Sequence, residues 1–126
     1  MYQIDVMSRT PVYEQIVNQT EKFILLGLLK PGDKIASVRN LAMELSVNPN
    51  TIQKAMLELD RRGAIFSVPG RGCFVAENAV EKLASARRSE LVELKRELEE
   101  LCLAGITKEE ILAVIEEVFE QKEDGQ

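Results

Sequence analysis

A chain of 126 residues with 45% hydrophobic and 29% charged side chains is large enough to bury a core without staples, and none of its apolar runs nears the ~20 residues that span a bilayer. It has no histidine and only two cysteines, Cys73 and Cys102 in unlike contexts, which excludes a Cys/His zinc site and removes the commonest general base, so no metal, cofactor or enzyme chemistry is expected. The net charge of −5 is unevenly spread: residues 1–75 carry nine Lys/Arg against seven Asp/Glu, while residues 76–126 carry seven against fourteen.

A polyanion partner responds to the local field of one face, so the +2 of the first part permits nucleic-acid binding despite the acidic whole. Met1 to Asp5 lack a basic stretch followed by an apolar one, so no secretion signal and a cytoplasmic location are expected. Thr10-Pro11 suggests a hydroxyl N-cap with proline at the first helical position. Tyr13, Ile16, Val17, Thr20 and Ile24 then follow at helical spacing up to Gly27. Leu29 to Lys34 turns the chain through a Pro31-Gly32 corner.

Ser37 is placed to cap a short helix with Val38, Leu41, Ala42 and Leu45 as its apolar face. After a turn in which the polar Ser46 and Asn48 flank Val47, Asn48-Pro49 starts a second helix with Ile52, Ala55, Met56 and Leu59 inward, closed by Gly63. Residues 65–68 and 73–75 read as two strands around Pro69-Gly70-Arg71-Gly72. A helix, a tight turn, a second helix and a basic hairpin make a winged helix-turn-helix, which can reach a major groove and the phosphates beside it.

From about Asn78 a long helix is expected to run to Gly105, with Leu91, Leu94, Leu98 and Leu101 at spacings of three and four. Thr107 and Glu110 have capping-box spacing, and Ile106 and Ile111 fit a hydrophobic staple. Ile111, Ile115, Val118 and Phe119 are the expected buried face of this last helix, and residues 120–126 an acidic, frayed tail. The expected architecture is mostly α with a small β wing. Residues 1–76 form the winged helix-turn-helix domain and residues 77–126 a two-helix dimerisation hairpin. That hairpin could instead fold back on the first domain, but pairing in a homodimer supplies two half-sites and leaves the DNA face open.

The candidate DNA contacts are Ser37, Arg39, Asn48, Asn50, Thr51, Gln53, Lys54, Gly70 and Arg71. Amide side chains can contact adenine in two places, threonine can meet a thymine methyl, and lysine and arginine can pair with phosphate or guanine. Bland roles compete with these: Asn48 as a cap, Arg39 paired with Glu44 or Asp60, and Gly70 as turn chemistry. The expected partner is double-stranded DNA with an inverted-repeat operator. A winged-helix module that binds only protein is the alternative, and no residue set announces a small-molecule effector.

Three strings resemble the GntR family of bacterial winged-helix regulators: Ser37-Val38-Arg39-Asn40-Leu41-Ala42, Val47-Asn48-Pro49-Asn50-Thr51, and Gly70-Arg71-Gly72-Cys73-Phe74-Val75. The opening Pro11-Val12-Tyr13-Glu14-Gln15-Ile16 and the 29–34 turn are also similar. With about fifty residues after the wing, the chain resembles the small YtrA-type subfamily, in which two short C-terminal helices mediate dimerisation. The resemblance implies a transcription regulator, a repressor in the first instance, that contacts an operator through Arg39, residues 48–54 and Gly70-Arg71. Pro49 and Gln53 stand where many relatives have arginines, and Ala36 where a proline is frequent, so base contacts at 49 and 53 do not carry over.

Overall fold

The computed structural model describes residues 1–124. Helix α1 (Val12–Leu25) begins one residue later than the sequence suggests: Pro11 is the N-cap, at φ −55° and ψ 147°, and Thr10 does not cap. The cause is Gln15, whose buried side-chain amide donates to the carbonyls of Asp5 and Thr10 and accepts the Asp5 N–H, each at 2.8 Å. This lays the first residues along α1. The Tyr2 hydroxyl shares a 2.7 Å hydrogen bond with Thr20 Oγ1, and its ring meets Phe23 edge-on at 5.1 Å. Burial raises the Tyr2 pKa, an effect the Thr20 bond offsets in part.

Strand β1 (Lys34–Ile35) follows a Pro31-Gly32 turn that the Asp33 N–H closes onto the Lys30 carbonyl at 2.9 Å. Helices α2 (Val38–Leu45) and α3 (Pro49–Arg61) come next, then strands β2 (Ile65–Val68) and β3 (Gly72–Val75). The sheet is antiparallel in the order β1-β3-β2. The two residues of β1 have no legible alternation in the sequence, and only their pairing with Phe74 and Cys73 makes them a strand.

The periodic apolar positions converge as expected: Ile16, Val17 and Ile24 of α1, Leu41 and Ala42 of α2, and Ile52, Ala55, Met56 and Leu59 of α3 form one core. Ile35, Ile65 and Val75 close it from the sheet. Opposite residues of an antiparallel sheet share a face, so Phe66, Phe74 and Lys34 lie together on the outer side, with the two rings stacked at 5.8 Å.

The helix expected from Asn78 to Gly105 is instead divided at Ser89 into α4 (Ala79–Arg88) and α5 (Glu90–Leu103). Ala79 and Leu83 of α4 are buried in the winged core, so this compact unit runs from Met1 to Ala86, past the boundary at residue 76 read from the sequence. The second unit begins at Arg87 and contains α5 and α6 (Lys108–Asp124). Thr107 and Glu110 make the reciprocal capping box, at 2.9 and 3.2 Å. The helix continues through residues placed in a frayed tail, since it ends at Asp124; residues 125 and 126 of that tail lie outside the described residues. No residue of α5 is buried, and on α6 Ile115, Val118 and Phe119 are exposed rather than buried. Among the described residues no helix is long and apolar enough to cross a membrane.

Candidate nucleic-acid interface

The candidate contacts of the winged unit fall on three supports. The Ser37 hydroxyl accepts the Asn40 N–H at 3.1 Å and so caps α2. Arg39 projects exposed from the first turn of that helix and makes no ion pair among the described residues, so the pairing with Glu44 or Asp60 is not formed. It lines one surface depression with Val38, Ala42, Met43, Val47 and Pro49, which brings it beside the start of α3.

At that start Asn48 Oδ1 accepts the Asn50 N–H at 2.8 Å, with Pro49 in the first helical turn. Asn48 is thus a cap. Ile52, Ala55, Met56 and Leu59 turn inward, and this orientation leaves Asn50, Gln53 and Lys54 exposed on the opposite face with Thr51 half-buried. Lys54 is not a free cation: its Nζ sits 4.0 Å from the centroid of the Tyr13 ring on α1. Tyr13 is the residue of this surface that the sequence conceals, because its helical spacing reads simply as packing. Partial desolvation and then its hydrogen bond to Glu14 raise its phenol pKa.

The third support is the wing. The Arg71 N–H closes onto the Val68 carbonyl at 2.9 Å around Pro69-Gly70, and Gly70 has a φ of +78°. Proline followed by a left-handed glycine is the order of a type II turn, so Gly70 is needed by the backbone alone. Arg71, next in line, is exposed and forms no ion pair among the described residues.

The charges on α3 are arranged asymmetrically. At its C-terminal end Arg61 and Arg62 are both bound by Glu58, and Arg62 also reaches the buried Glu21 at 2.5 Å. The two arginines hold the Glu58 carboxyl down at about 2. At its N-terminal end Arg39 has no such carboxylate and Lys54 faces a ring. The positive field of this unit is therefore neutralised at one end of α3 and left open toward the other. Among the described residues no group of three or more His, Cys, Asp or Glu side chains could hold a metal ion.

In the second unit, Leu94, Leu98, Leu101, Ile106, Ile111 and Ile115 line one groove between α5 and α6. Of the other residues expected at an interface, Leu91, Val118 and Phe119 are 58–60% exposed.

Known proteins share this organisation. Residues 12–75 match the profile described as "Bacterial regulatory proteins, gntR family". The HTH-type transcriptional repressor YtrA of Bacillus subtilis is 42% identical over 119 residues, which cover 94% of this chain and 92% of that one. A GntR family transcriptional regulator of known structure from Listeria monocytogenes is 37% identical at a TM-score of 0.72, covering 87% of this chain and 96% of its own. The AraR DNA-binding domain, solved in complex with operator ORE1, is 32% identical at a TM-score of 0.52, over 60% of this chain and 95% of that one.

Proposed function

The chain belongs to the GntR family of bacterial regulatory proteins, a family of DNA-binding transcriptional regulators rather than enzymes, and from that membership we propose that it is a homodimeric repressor acting in the cytoplasm. It binds an inverted-repeat operator and blocks transcription there. The observation that carries the reading is the open start of α3: Asn50 and Gln53 exposed on a helix whose other face is core, with unpaired Arg39 beside them. The AraR domain, similar in fold and solved in complex with an operator, supports operator binding by this domain. Gln53 and Asn50 read base edges, Arg39 and Arg71 hold phosphates or guanine, and Ser37 and Asn48 contribute as caps that aim their helices. Lys54 reaches the duplex from its seat on Tyr13.

Dimerisation rests on the second unit. Leu91, Leu94, Leu98, Leu101, Ile111, Ile115, Val118 and Phe119 make apolar surface that a two-helix hairpin cannot cover by itself, and a second copy covers it. The dimer then presents two winged units to half-sites about one helical turn apart.

A duplex selected from random DNA by the full chain tests this. Its affinity should fall steeply between ~50 and ~200 mM salt, because each phosphate contact releases counterions. Arg39→Ala and Gln53→Ala should each cost about 1–3 kcal/mol on the selected site. Salt-insensitive binding, or wild-type affinity in both variants across operator sequences, would remove the proposed contacts.

A further inference from the structure

In the first turn of α3 the backbone has no donor left to offer. Asn48 Oδ1 takes the Asn50 N–H at 2.8 Å, the Asn48 carbonyl takes those of Thr51 at 2.9 Å and Ile52 at 3.3 Å, and Pro49 has none. That turn has no free N–H group with which to grip a phosphate, the usual way such a terminus binds an anion, and only the Asn48 N–H ahead of it is left. What it presents instead is the exposed, apolar ring of Pro49.

That ring is one wall of a larger apolar feature. Val38, Ala42 and Met43 of α2 and Val47 of the turn line the same open depression, and Arg39 is its only charged member. Met43 is 75% exposed, a large apolar side chain laid bare next to the unpaired Arg39. Water gains nothing from this arrangement. Within a major groove, however, one group is apolar and marks sequence: the 5-methyl of thymine, which stands out from the base edge beside the hydrogen-bonding atoms.

Resting on the DNA-binding reading above, we propose that this depression reads the 5-methyl group of one pyrimidine in each operator half-site, with Pro49 and Met43 as its walls and Arg39 on its rim. Pro49 thereby specifies sequence without a hydrogen bond, at a position where no side-chain or backbone donor is available. The natural source of the methyl is thymine; 5-methylcytosine carries the same group.

The test uses the full chain and the duplex it selects from random DNA. Each thymine of a half-site is replaced in turn by deoxyuridine, which removes only the methyl. One position should weaken binding by about fourfold, the affinity equivalent of one buried methyl. Placing 5-methyl-deoxycytidine there should bind more tightly than deoxycytidine does. In Pro49→Ala and Met43→Ala the ratio of thymine to deoxyuridine affinity at that position should fall toward one. Operator binding that stays salt-sensitive with no deoxyuridine-sensitive position overturns this inference and leaves DNA binding intact, as does a ratio unchanged in both variants. A chain that captures no duplex overturns the DNA-binding reading, and this inference with it.

Discussion

Helices α1, α3 and α5 end on a left-handed glycine, and α2 ends on a serine. Gly27, Gly63 and Gly105 have φ of +80°, +79° and +90°, and in each case the next N–H bonds back to the carbonyl five residues earlier, the Schellman closure. Ser46 makes the same closure at φ +54°, with the Val47 N–H on the Ala42 carbonyl at 3.0 Å. A residue with a Cβ is strained there by about 1–2 kcal/mol. Ser46→Gly removes that strain against the greater unfolded-state freedom of glycine, for a net gain of about 0.5–1 kcal/mol. Ser46→Val should lose stability. Urea midpoints compare the three, and a glycine variant no more stable than wild type would mean that the serine is already relaxed. Glu58 supplies a second residue-scale prediction. Unfolded, its carboxyl titrates near its ordinary 4.5; folded, Arg61 and Arg62 keep it charged down to about 2. Its contribution is therefore complete above pH ~4.5 and is lost as the pH falls toward ~2. Glu58→Gln should be less stable than wild type at neutral pH, with the gap closing across that acid window in melting temperatures.

At the scale of elements, α4 decides where the winged unit ends. Leu83 is 3% exposed and belongs to the same core as Ile16 and Leu59. Leu83→Ala should therefore cost about 2–5 kcal/mol and shift the melting of the whole unit. Val80→Ala, one helical step away on the exposed side, should stay within about 0.5 kcal/mol. Equal and small losses would detach α4 from this core. The sequence carries no mark of where α4 ends. Residues 79–103 contain neither glycine nor proline, so nothing in their pattern announces a division at Ser89 or a change of unit at Ala86. By contrast α2 and α3 were legible through Ser37, Asn48 and Pro49, residues whose side chains or missing N–H fit only a helix start. The wing was legible through Pro69-Gly70. Strand β1 was not, because a two-residue strand is made by its partner. The same divide runs through the candidate site: Arg39, Asn50 and Gln53 could be placed on an exposed face by counting along a helix. Tyr13 beneath Lys54 depends on α1 meeting α3, a tertiary event that local pattern does not encode.

For the whole molecule, salt should act in opposite directions on the two proposed associations. The winged unit, residues 1–86, carries ten Lys/Arg against nine Asp/Glu and meets a polyanion through its open end, so salt weakens that contact. The unit after it, from Arg87, carries six Lys/Arg against twelve Asp/Glu, so two copies brought together repel one another while their leucines attract. Screening reduces the repulsion, and kosmotropic salts strengthen apolar burial. Sedimentation should therefore give a tighter dimer at ~300 mM than at ~50 mM salt, over the range where operator affinity falls. Leu94 separates the two effects: it is 46% exposed and lines the α5–α6 groove, so Leu94→Asp places a charge in the shared apolar surface without touching the winged core. The variant should be a monomer by light scattering and should bind a single half-site about as wild type does. On the full inverted repeat it should lose the roughly 10²–10⁴-fold advantage of simultaneous engagement. A Leu94→Asp variant that stays dimeric would place the interface elsewhere, and one that is monomeric yet binds the full operator at wild-type affinity would end the case for twofold recognition.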